Sequence, residues 1–345
     1  MDNQIMDFLK ARTLEEFSLE KETVVLRPIL KGGSDRDFYH LESQGKLFCI
    51  LMHYGEEKQE NFYYVDIARF FKTLNVPAPE ILAHDEKNRV VWMQDLGEAD
   101  LYSRRNRDWA TKSALYRQAL EAIERLHDDG LRQWEQKPFA LMDGFGAELY
   151  RWEQDYFWKQ FVEDACHVEM NASEKNRIQA ELHTLSEHLC ALPPGLVHRD
   201  FQSQNIMLND EKVFFIDFQG MRKGTKFYDL GSLLFDPYVE FSPEQRMELL
   251  RYYYELRKRA MDWVSFEKAF YEASIQRLLQ ALGAYGFLGI KKQKTHFLSY
   301  IPAALKNVKA AVDPTEDFHA FRRLLCLLEE ESQKCISHFS CVGID

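Results

Sequence analysis

The chain lacks the long apolar runs and the cysteine spacings that would place it in a membrane or around a zinc ion. Among its 345 residues, no apolar stretch approaches the roughly 18 to 20 residues needed to cross a bilayer. The first residues, MDNQIMDFLKARTLEEF, are charged and contain no signal-peptide hydrophobic region. The six cysteines are scattered without a C-x-x-C pair, which argues against a zinc or redox motif. We therefore expect a cytoplasmic protein with no membrane partner.

Positive charge is also scarce. The chain has 44 Lys and Arg against 55 Asp and Glu, a formal net charge of −11. Binding to nucleic acid depends on neutralising phosphates, so this balance disfavours a nucleic-acid partner. An anionic substrate such as a nucleotide would need local cationic groups and a divalent metal.

Two common catalytic motifs are absent as well. The nucleophile elbow G-x-S-x-G of serine hydrolases does not occur, and neither does the phosphate-binding motif G-x-x-x-x-G-K-[ST]. The sequence therefore excludes these two routes to hydrolysis and phosphoryl transfer.

The residue patterns that are present predict an α+β chain with two lobes. The front part has strand patterns with one helix over residues 56–74, in which Phe62, Val65 and Phe71 recur at helical spacing. The strand patterns are TVVLRPIL, FYHLES, GKLFCILMHY and RVVWMQDL, and the prolines of VPAPEIL are interpreted as the end of the helix. From Asp108 onward long amphipathic helices follow, the first predicted to end at Gly130. We predict a small antiparallel-sheet lobe over residues 1–97 and a larger, mainly helical lobe over residues 98–345.

The stretch LVHRDFQSQNIMLNDEKVFFIDFQG, residues 196–220, concentrates polar groups among apolar ones. NIML and VFFI, joined by the polar turn NDEK, predict a β-hairpin. That hairpin would bring Asn205 and Asp217 to the same end, with Asp200 on the loop before it. Oxygen ligands of this kind suit Mg²⁺, and a third carboxylate nearby suits a general base.

The spacing within this stretch is that of phosphoryl transfer in protein kinases, H-R-D-x-x-x-x-N followed by D-F. We predict that Asp200 is the catalytic base and that Asn205 and Asp217 bind Mg²⁺. His198 and Arg199 are expected to hold the loop. The alternative is that the Asp and Asn residues only cap turns, which would not explain the HRD triplet.

The front part then becomes the candidate nucleotide site, with ATP as the cofactor. In KGGSDRD, the backbone N–H groups of Gly32, Gly33 and Ser34 could approach phosphates, although an ordinary hairpin turn would have the same residues. The third strand carries Met52 where kinases place a lysine. Arg36 is the first candidate for the missing cation and Lys58 the second.

The strand over residues 89–96 would lead into the connection between the lobes. There we expect the backbone around Gln94, Asp95 and Leu96 to bind adenine. A strand that ends at Gly97 without any ligand is equally consistent with these residues.

The segments VHRDFQSQNIML, FFIDFQG and FYDLGSLLFDPY resemble the aminoglycoside phosphotransferase and choline kinase superfamily, which has the protein-kinase fold. ILMHYGEEKQEN, VPAPEIL and SIQRLLQALGAYGFL further resemble bacterial kinases that phosphorylate N-acetylmuramate and N-acetylglucosamine at the C1 hydroxyl. The resemblance spans nearly the whole chain. It implies a small-molecule acceptor, an amino sugar, and leaves the oligomeric state open.

The resemblance also implies residue roles. Asp229 would order the catalytic loop, although it could instead cap the following helix. Gln202 and Asp236 would face the acceptor, whereas Asp236 could be only a turn residue. Gln276 and Arg277 could similarly form a polar helix face. Gln202 stands where such sugar kinases often have a cationic residue, and a neutral sugar would need none.

Three other functions compete with the sugar kinase. An aminoglycoside or choline-like acceptor would need a strongly acidic pocket. A protein kinase would have an A-P-E segment after Asp217, and none follows. A catalytically dead binding protein would fit the missing lysine at Met52, but the intact Asp200, Asn205 and Asp217 argue against it.

Overall fold

The front of the chain folds into a five-stranded antiparallel sheet. The computed structural model describes residues 3–19, 24–29, 35–258 and 260–342, and the statements below concern those residues. The spatial order of the strands is β1-β2-β3-β5-β4. Their bounds are β1 (Val24–Ile29), β2 (Arg36–Ser43), β3 (Lys46–Tyr54), β4 (Ile81–Asp85) and β5 (Val90–Met93).

Each face of this sheet is covered by a helix, as the alternation along β3 requires. Helix α1 (Asn3–Phe17) packs through Leu9 against the face that contains Leu51 and Trp92. The Trp92 indole N–H donates to the α1 residue Thr13 at 3.0 Å. Met52 points to the opposite face, where helix α2 (Tyr64–Thr73) packs.

Two details of this lobe differ from the prediction. Strand β4 was not predicted. The prolines of VPAPEIL follow the helix, as expected, but they also precede this strand and leave its pairing with β5 intact. The predicted helix over residues 56–74 begins with a 3₁₀ turn, Gln59–Tyr63, so α2 is shorter. The different pitch of that turn leaves Phe62 45% exposed rather than in the core.

The remainder is mainly helical. Its helices are α3 (Trp109–Arg125), α4 (Leu131–Gln136), α5 (Ala147–Phe157), α6 (Ala172–Ala191), α7 (Phe227–Leu234), α8 (Pro243–Glu255), α9 (Trp263–Gly286), α10 (Ile301–Val312) and α11 (His319–Val342). The helix predicted to end at Gly130 instead continues through a π-helical turn, Leu126–Gly130, into α4. Gly130 has helical dihedral angles there, so it does not terminate the helix.

Two small two-stranded antiparallel sheets lie between α6 and α7. Strand β6 (Gly195–Val197) pairs with β9 (Arg222–Gly224), and β7 (Ile206–Asn209) pairs with β8 (Lys212–Phe215). The second pair is the predicted hairpin. It places the loop before β7 and the residues after β8 next to each other.

The sheet and the helical part meet at the β7–β8 hairpin. The ring of Tyr64 on α2 stacks on Phe218 with centroids 4.6 Å apart, and the Phe215 N–H donates to Pro77 at 2.8 Å. The fold is therefore the predicted α+β arrangement of an antiparallel-sheet lobe and a mostly helical remainder. The boundary at residues 97 and 98 stays a prediction. In the described ranges, none of the helices combines the length and apolarity required to cross a bilayer.

Candidate active site

Two residues at the centre of the site have backbone conformations that side chains other than glycine rarely adopt. Arg199, on the loop between β6 and β7, has φ +80°, and Asp217, two residues after the end of β8, has φ +61°. Such conformations cost on the order of 1–3 kcal/mol and persist only where the surroundings hold them. They concentrate at functional sites, which makes this loop the first candidate.

Asp229 holds the strained loop between β6 and β7 through hydrogen bonds to its backbone. Its carboxylate accepts the backbone N–H of His198 at 2.6 Å and that of Arg199 at 2.8 Å. It is fully buried as the third residue of α7, and Lys226 occupies the N-cap position, so Asp229 is not the helix cap considered above. Asp229 thus holds the backbone at His198 and Arg199, and its role in ordering a catalytic loop stays a prediction.

A buried histidine completes the support of Asp229. His127 Nε2 lies 3.0 Å from Asp229, and Nδ1 lies 2.8 Å from the Tyr253 hydroxyl. Burial lowers the pKa of His127, although the Asp229 carboxylate opposes the shift. The neutral imidazole fits both contacts when Nε2 donates to Asp229 and Nδ1 accepts from Tyr253.

Asp200 lies on this loop with one guanidinium near each carboxylate oxygen. Arg199 Nη1 donates to Oδ2 at 3.3 Å, and Arg277 Nη2 is 3.8 Å from Oδ1. Burial alone would raise the pKa of Asp200, but the nearby cationic groups, Arg199 and Arg277 foremost, outweigh it and lower the pKa. Asp200 is therefore an ionised carboxylate that can accept a proton.

Asn205 joins the loop to the hairpin. Its side-chain Nδ2 donates to the backbone carbonyl of Asp200 at 2.9 Å. The backbone carbonyl of Asn205 accepts the Ile216 N–H at 3.0 Å. Asp217 follows Ile216 directly. The structure thus brings Asp200, Asn205 and Asp217 together at one end of the β7–β8 hairpin.

Asp217 has a cationic partner from the sheet. Arg36, the first residue of β2, donates from Nη2 to Asp217 Oδ1 at 2.7 Å, and Gln219 donates to the same oxygen at 3.0 Å. The Arg36 side chain is only 8% exposed, whereas Asp217 is 37% exposed. Sequence reasoning named Arg36 but missed Gln219, which its position in IDFQG could have suggested.

The other residues considered for the nucleotide site differ in their surroundings. Met52 is fully buried in the core, and Lys58 is exposed just before the 3₁₀ turn. Gly32, Gly33 and Ser34 lie outside the described residues.

The connection after β5 is fixed by its side chains. The Asp95 carboxylate accepts the Gly97 N–H at 2.7 Å and lies 3.0 Å from His40 Nδ1. The Gln94 N–H donates to Glu80 at 2.8 Å. The Gln94 carbonyl and the Leu96 N–H make no hydrogen bond with other described residues, so this acceptor and this donor remain for a ligand.

The two predicted acceptor residues have different surroundings. Gln202 is half-buried, and its Oε1 lies 3.4 Å from Arg277 Nη2. Asp236 is 1% exposed, accepts the N–H groups of Ser203 at 2.8 Å and Tyr238 at 3.0 Å, and has a pKa raised by burial. Asp236 therefore holds the loop at Ser203, and a direct contact with an acceptor stays a prediction.

The interpretation of Gln276 and Arg277 as an exposed polar face is wrong. Gln276 is fully buried and Arg277 is 7% exposed, both within α9. Gln276 donates to Glu153 at 2.9 Å, and burial raises the pKa of that carboxyl. Sequence reasoning missed Glu153, since nothing in its helical spacing distinguishes it from a surface residue.

The described residues offer few side chains that could bind a metal ion. Among the described residues, no three His, Cys, Asp or Glu side chains are grouped to hold a metal ion. The Asn205 amide and the Asp217 carboxylate nevertheless form an oxygen-donor set of the kind that Mg²⁺ uses together with phosphate oxygens. Asp217 Oδ1 already accepts from Arg36 and Gln219, which leaves Oδ2 as the carboxylate oxygen for a metal ion.

Comparison with known sequences shows related kinases, among them proteins from Neisseria and Pseudomonas. The chain is 27% identical over 254 residues to an N-acetylmuramate/N-acetylglucosamine kinase of Neisseria meningitidis, covering 71% of this chain and 73% of that one. It is 23% identical over 316 residues to a kinase of the same name from Pseudomonas aeruginosa, covering 88% and 90%.

Solved structures share the fold. A choline/ethanolamine kinase family protein from Mesorhizobium loti superposes with a TM-score of 0.59 at 18% identity, covering 94% of this chain and 99% of that one. The ADP-bound aminoglycoside phosphotransferase APH(2'')-Ib gives 0.56 at 14% identity, covering 90% and 99%. These likenesses concern the fold.

The family model named "Phosphotransferase enzyme family" (APH) matches residues 25–264, more than half of the chain, and that range contains the loop, the hairpin and Asp229. The chain belongs to this phosphotransferase family.

Proposed function

We propose that this protein is an ATP-dependent kinase that transfers the γ-phosphoryl group to a sugar, N-acetylglucosamine or N-acetylmuramate, at the anomeric C1 hydroxyl. The observation that carries the proposal is the convergence of Asp200, Asn205 and Asp217 at one end of the β7–β8 hairpin. This convergence occurs in a chain of the phosphotransferase family, whose relatives are named as kinases of these two sugars.

Asp200 would orient the acceptor hydroxyl and take its proton. The carboxylate is 28% exposed, so a ligand can reach it, and its lowered pKa keeps it ionised at neutral pH. A base of low pKa accepts the proton late, when the hydroxyl oxygen has already lost electron density to phosphorus. Positioning would therefore contribute more to the rate than basicity.

Asn205 and Asp217 would hold Mg²⁺, which when bound neutralises charge on the phosphates. Arg36 would supply the second cation. It reaches Asp217 from β2 and so places a guanidinium beside the proposed phosphate position, in a lobe whose third strand has the apolar Met52. A guanidinium suits this role because its planar donors match phosphate oxygens.

The base of ATP would lie against the connection between the lobes. The Gln94 carbonyl and the Leu96 N–H, neither of which bonds another residue in the described ranges, offer the acceptor and donor pair that an adenine edge needs. Asp95 keeps the segment in place. Gly32, Gly33 and Ser34 would close over the phosphates, and His198, Arg199 and Asp229 would hold the loop that carries Asp200.

The acceptor would lie beside Asp200 and Gln202. A neutral amide such as that of Gln202 suits hydroxyl and acetamido groups of a sugar, since it both donates and accepts. The two named relatives favour a sugar over the choline and aminoglycoside acceptors in the names of structural neighbours, which share the fold at 18% identity or less in the two cases given.

An acceptor screen tests this proposal. ADP release is measured with N-acetylglucosamine, N-acetylmuramate, glucosamine, choline and an aminoglycoside, and the product is examined by phosphorus NMR. We expect release with an N-acetylated sugar and the signal of a sugar 1-phosphate. A 6-phosphate would contradict the anomeric assignment, and release with choline or the aminoglycoside alone would contradict the sugar.

A further inference from the structure

Arg277 is a buried arginine of α9 whose guanidinium reaches the catalytic loop. All three of its side-chain nitrogens have partners. Nε donates to Ser232 on α7 at 3.2 Å, and Nη1 donates to Gln280, one turn further along α9, at 2.7 Å. These two contacts fix the plane of the guanidinium to helices rather than to loops.

The third nitrogen points to the site. Nη2 lies 3.4 Å from Gln202 Oε1 and 3.8 Å from Asp200 Oδ1. Asp200 and Gln202 both lie on the loop between β6 and β7, and Arg199, on the same loop, binds only the other Asp200 oxygen. Arg277 thus reaches both residues from a regular helix.

A loop carboxylate needs such support for catalysis. Because phosphoryl transfer depends on alignment, a displacement of about 1 Å can cost roughly 10²-fold in rate. Arg199 cannot supply an independent reference point, since it moves with the loop, whereas the planar fork of Arg277 is held by Ser232 and Gln280.

We propose that Arg277 is a positioning residue, which fixes Asp200 and Gln202 relative to each other. The proposed base, Asp200, would then stay aligned with the acceptor that Gln202 contacts. The inference rests on the proposed function, in which Asp200 receives the hydroxyl proton. Arg277 itself touches neither substrate nor nucleotide in this account. Its effect is on turnover rather than on nucleotide affinity.

The test compares Arg277→Gln and Arg277→Lys with the wild-type enzyme by steady-state kinetics, with kcat referred to the concentration of nucleotide-binding sites. We expect Arg277→Gln to lower kcat about 10²-fold while the KM for ATP stays within about twofold. Arg277→Lys keeps the charge without the planar fork, so it should recover part of the loss.

Arg246→Gln is the matched control. Arg246 is also 7% exposed, but it donates to the Leu234 carbonyl at 2.9 Å and lies over the Phe235 ring. We expect this variant to lose thermal stability with an unchanged kcat per site. If Arg277→Gln behaves in the same way, Arg277 is merely structural and the proposal is overturned.

Two further outcomes are decisive. A rise in the KM for the acceptor with an unchanged kcat would make Arg277 a substrate contact and overturn the positioning role. Each variant is also assayed for slow ATP hydrolysis without acceptor, in which Asp200 would orient water. A wild-type enzyme inactive toward every sugar would overturn the proposed acceptor. The rate of ATP hydrolysis by Arg277→Gln relative to the wild type would still decide the role of Arg277.

Discussion

At the scale of the residue, a cationic side chain reaches the candidate site from β2 rather than from β3. Met52 on β3 lies opposite Phe38 in the β2–β3 register, and both are apolar. Arg36, at the start of β2, instead reaches Asp217, and its Nε is buried without a hydrogen bond among the described residues. The cation is therefore available in the site without a lysine on the third strand.

We expect Arg36→Met to lower kcat/KM for ATP by about 10- to 100-fold, because a hydrogen bond to a charged group contributes roughly 1.5–3 kcal/mol. Lys58→Met is the matched control, since Lys58 is exposed and was the second candidate. Steady-state kinetics with varied ATP distinguishes them. If Lys58→Met lowered kcat/KM for ATP and Arg36→Met left it unchanged, the cation would be Lys58 rather than Arg36.

His127 gives a second residue-scale expectation, a dependence of stability on pH. Its pKa in the folded protein is below the ordinary value of 6.5, so the unfolded chain binds more protons. The stability from neutral His127 is fully present above about pH 6.5 and is lost as the pH falls from there toward the folded pKa.

Thermal unfolding between pH 7.5 and 5.5 measures this effect. The wild-type melting temperature should fall more steeply below pH 6.5 than that of His127→Gln, whose amide does not titrate. His183→Gln, at an exposed position of α6, should follow the wild type. Parallel curves for wild type and His127→Gln would show that His127 does not contribute.

At the scale of the element, α9 determines how closely the helices approach the site. A Cβ at Gly231 on α7 would lie 2.8 Å from the Cα of Ser274, and one at Gly286 would lie 2.9 Å from the carbonyl carbon of Gln160. Both neighbours are backbone atoms, which cannot turn away. The glycines therefore let α9 pack directly on α7 and on the π-helical turn Trp158–Glu163 that follows α5, which places Arg277 at the loop.

Gly286→Ala should lower the free energy of unfolding by about 1–3 kcal/mol, the usual cost of overpacking. Gly146→Ala is the comparison, because nothing lies within 4 Å of a Cβ there. It should cost at most about 1 kcal/mol, since Gly146 is the N-cap of α5. Urea denaturation gives both values, and equal losses would refute the packing argument.

The elements differ in how far the sequence predicts them. The β7–β8 hairpin is local, with two apolar strands and a polar turn, so its pattern was sufficient. Strand β4 was missed because prolines at residues 77 and 79 resemble a helix end. The contact of Arg277 with Asp200 joins residues 77 positions apart through helix packing, which no local pattern encodes.

At the scale of the whole molecule, an acidic chain concentrates arginines at one place. The net charge is −11, yet Arg36, Arg199, Arg222 and Arg277 surround the loop and hairpin. A nucleotide bound to so acidic a chain needs cationic groups nearby. The fold brings such groups together from β2, the loop, β9 and α9. The adenine contacts and the acceptor site were not predictable in equal detail. Backbone groups such as the Leu96 N–H leave no motif, and neither do contacts between residues distant in sequence, such as Gln202 with Arg277.

The most direct test of the central claim is ADP release by the Asp200→Asn variant with N-acetylglucosamine and N-acetylmuramate. An amide cannot accept the hydroxyl proton, and general-base catalysis contributes roughly 10²- to 10⁴-fold, so we predict that turnover is abolished while circular dichroism shows an intact fold. Asp217→Asn should behave in the same way through loss of the metal ligand. Substantial turnover in the Asp200→Asn variant would contradict the account.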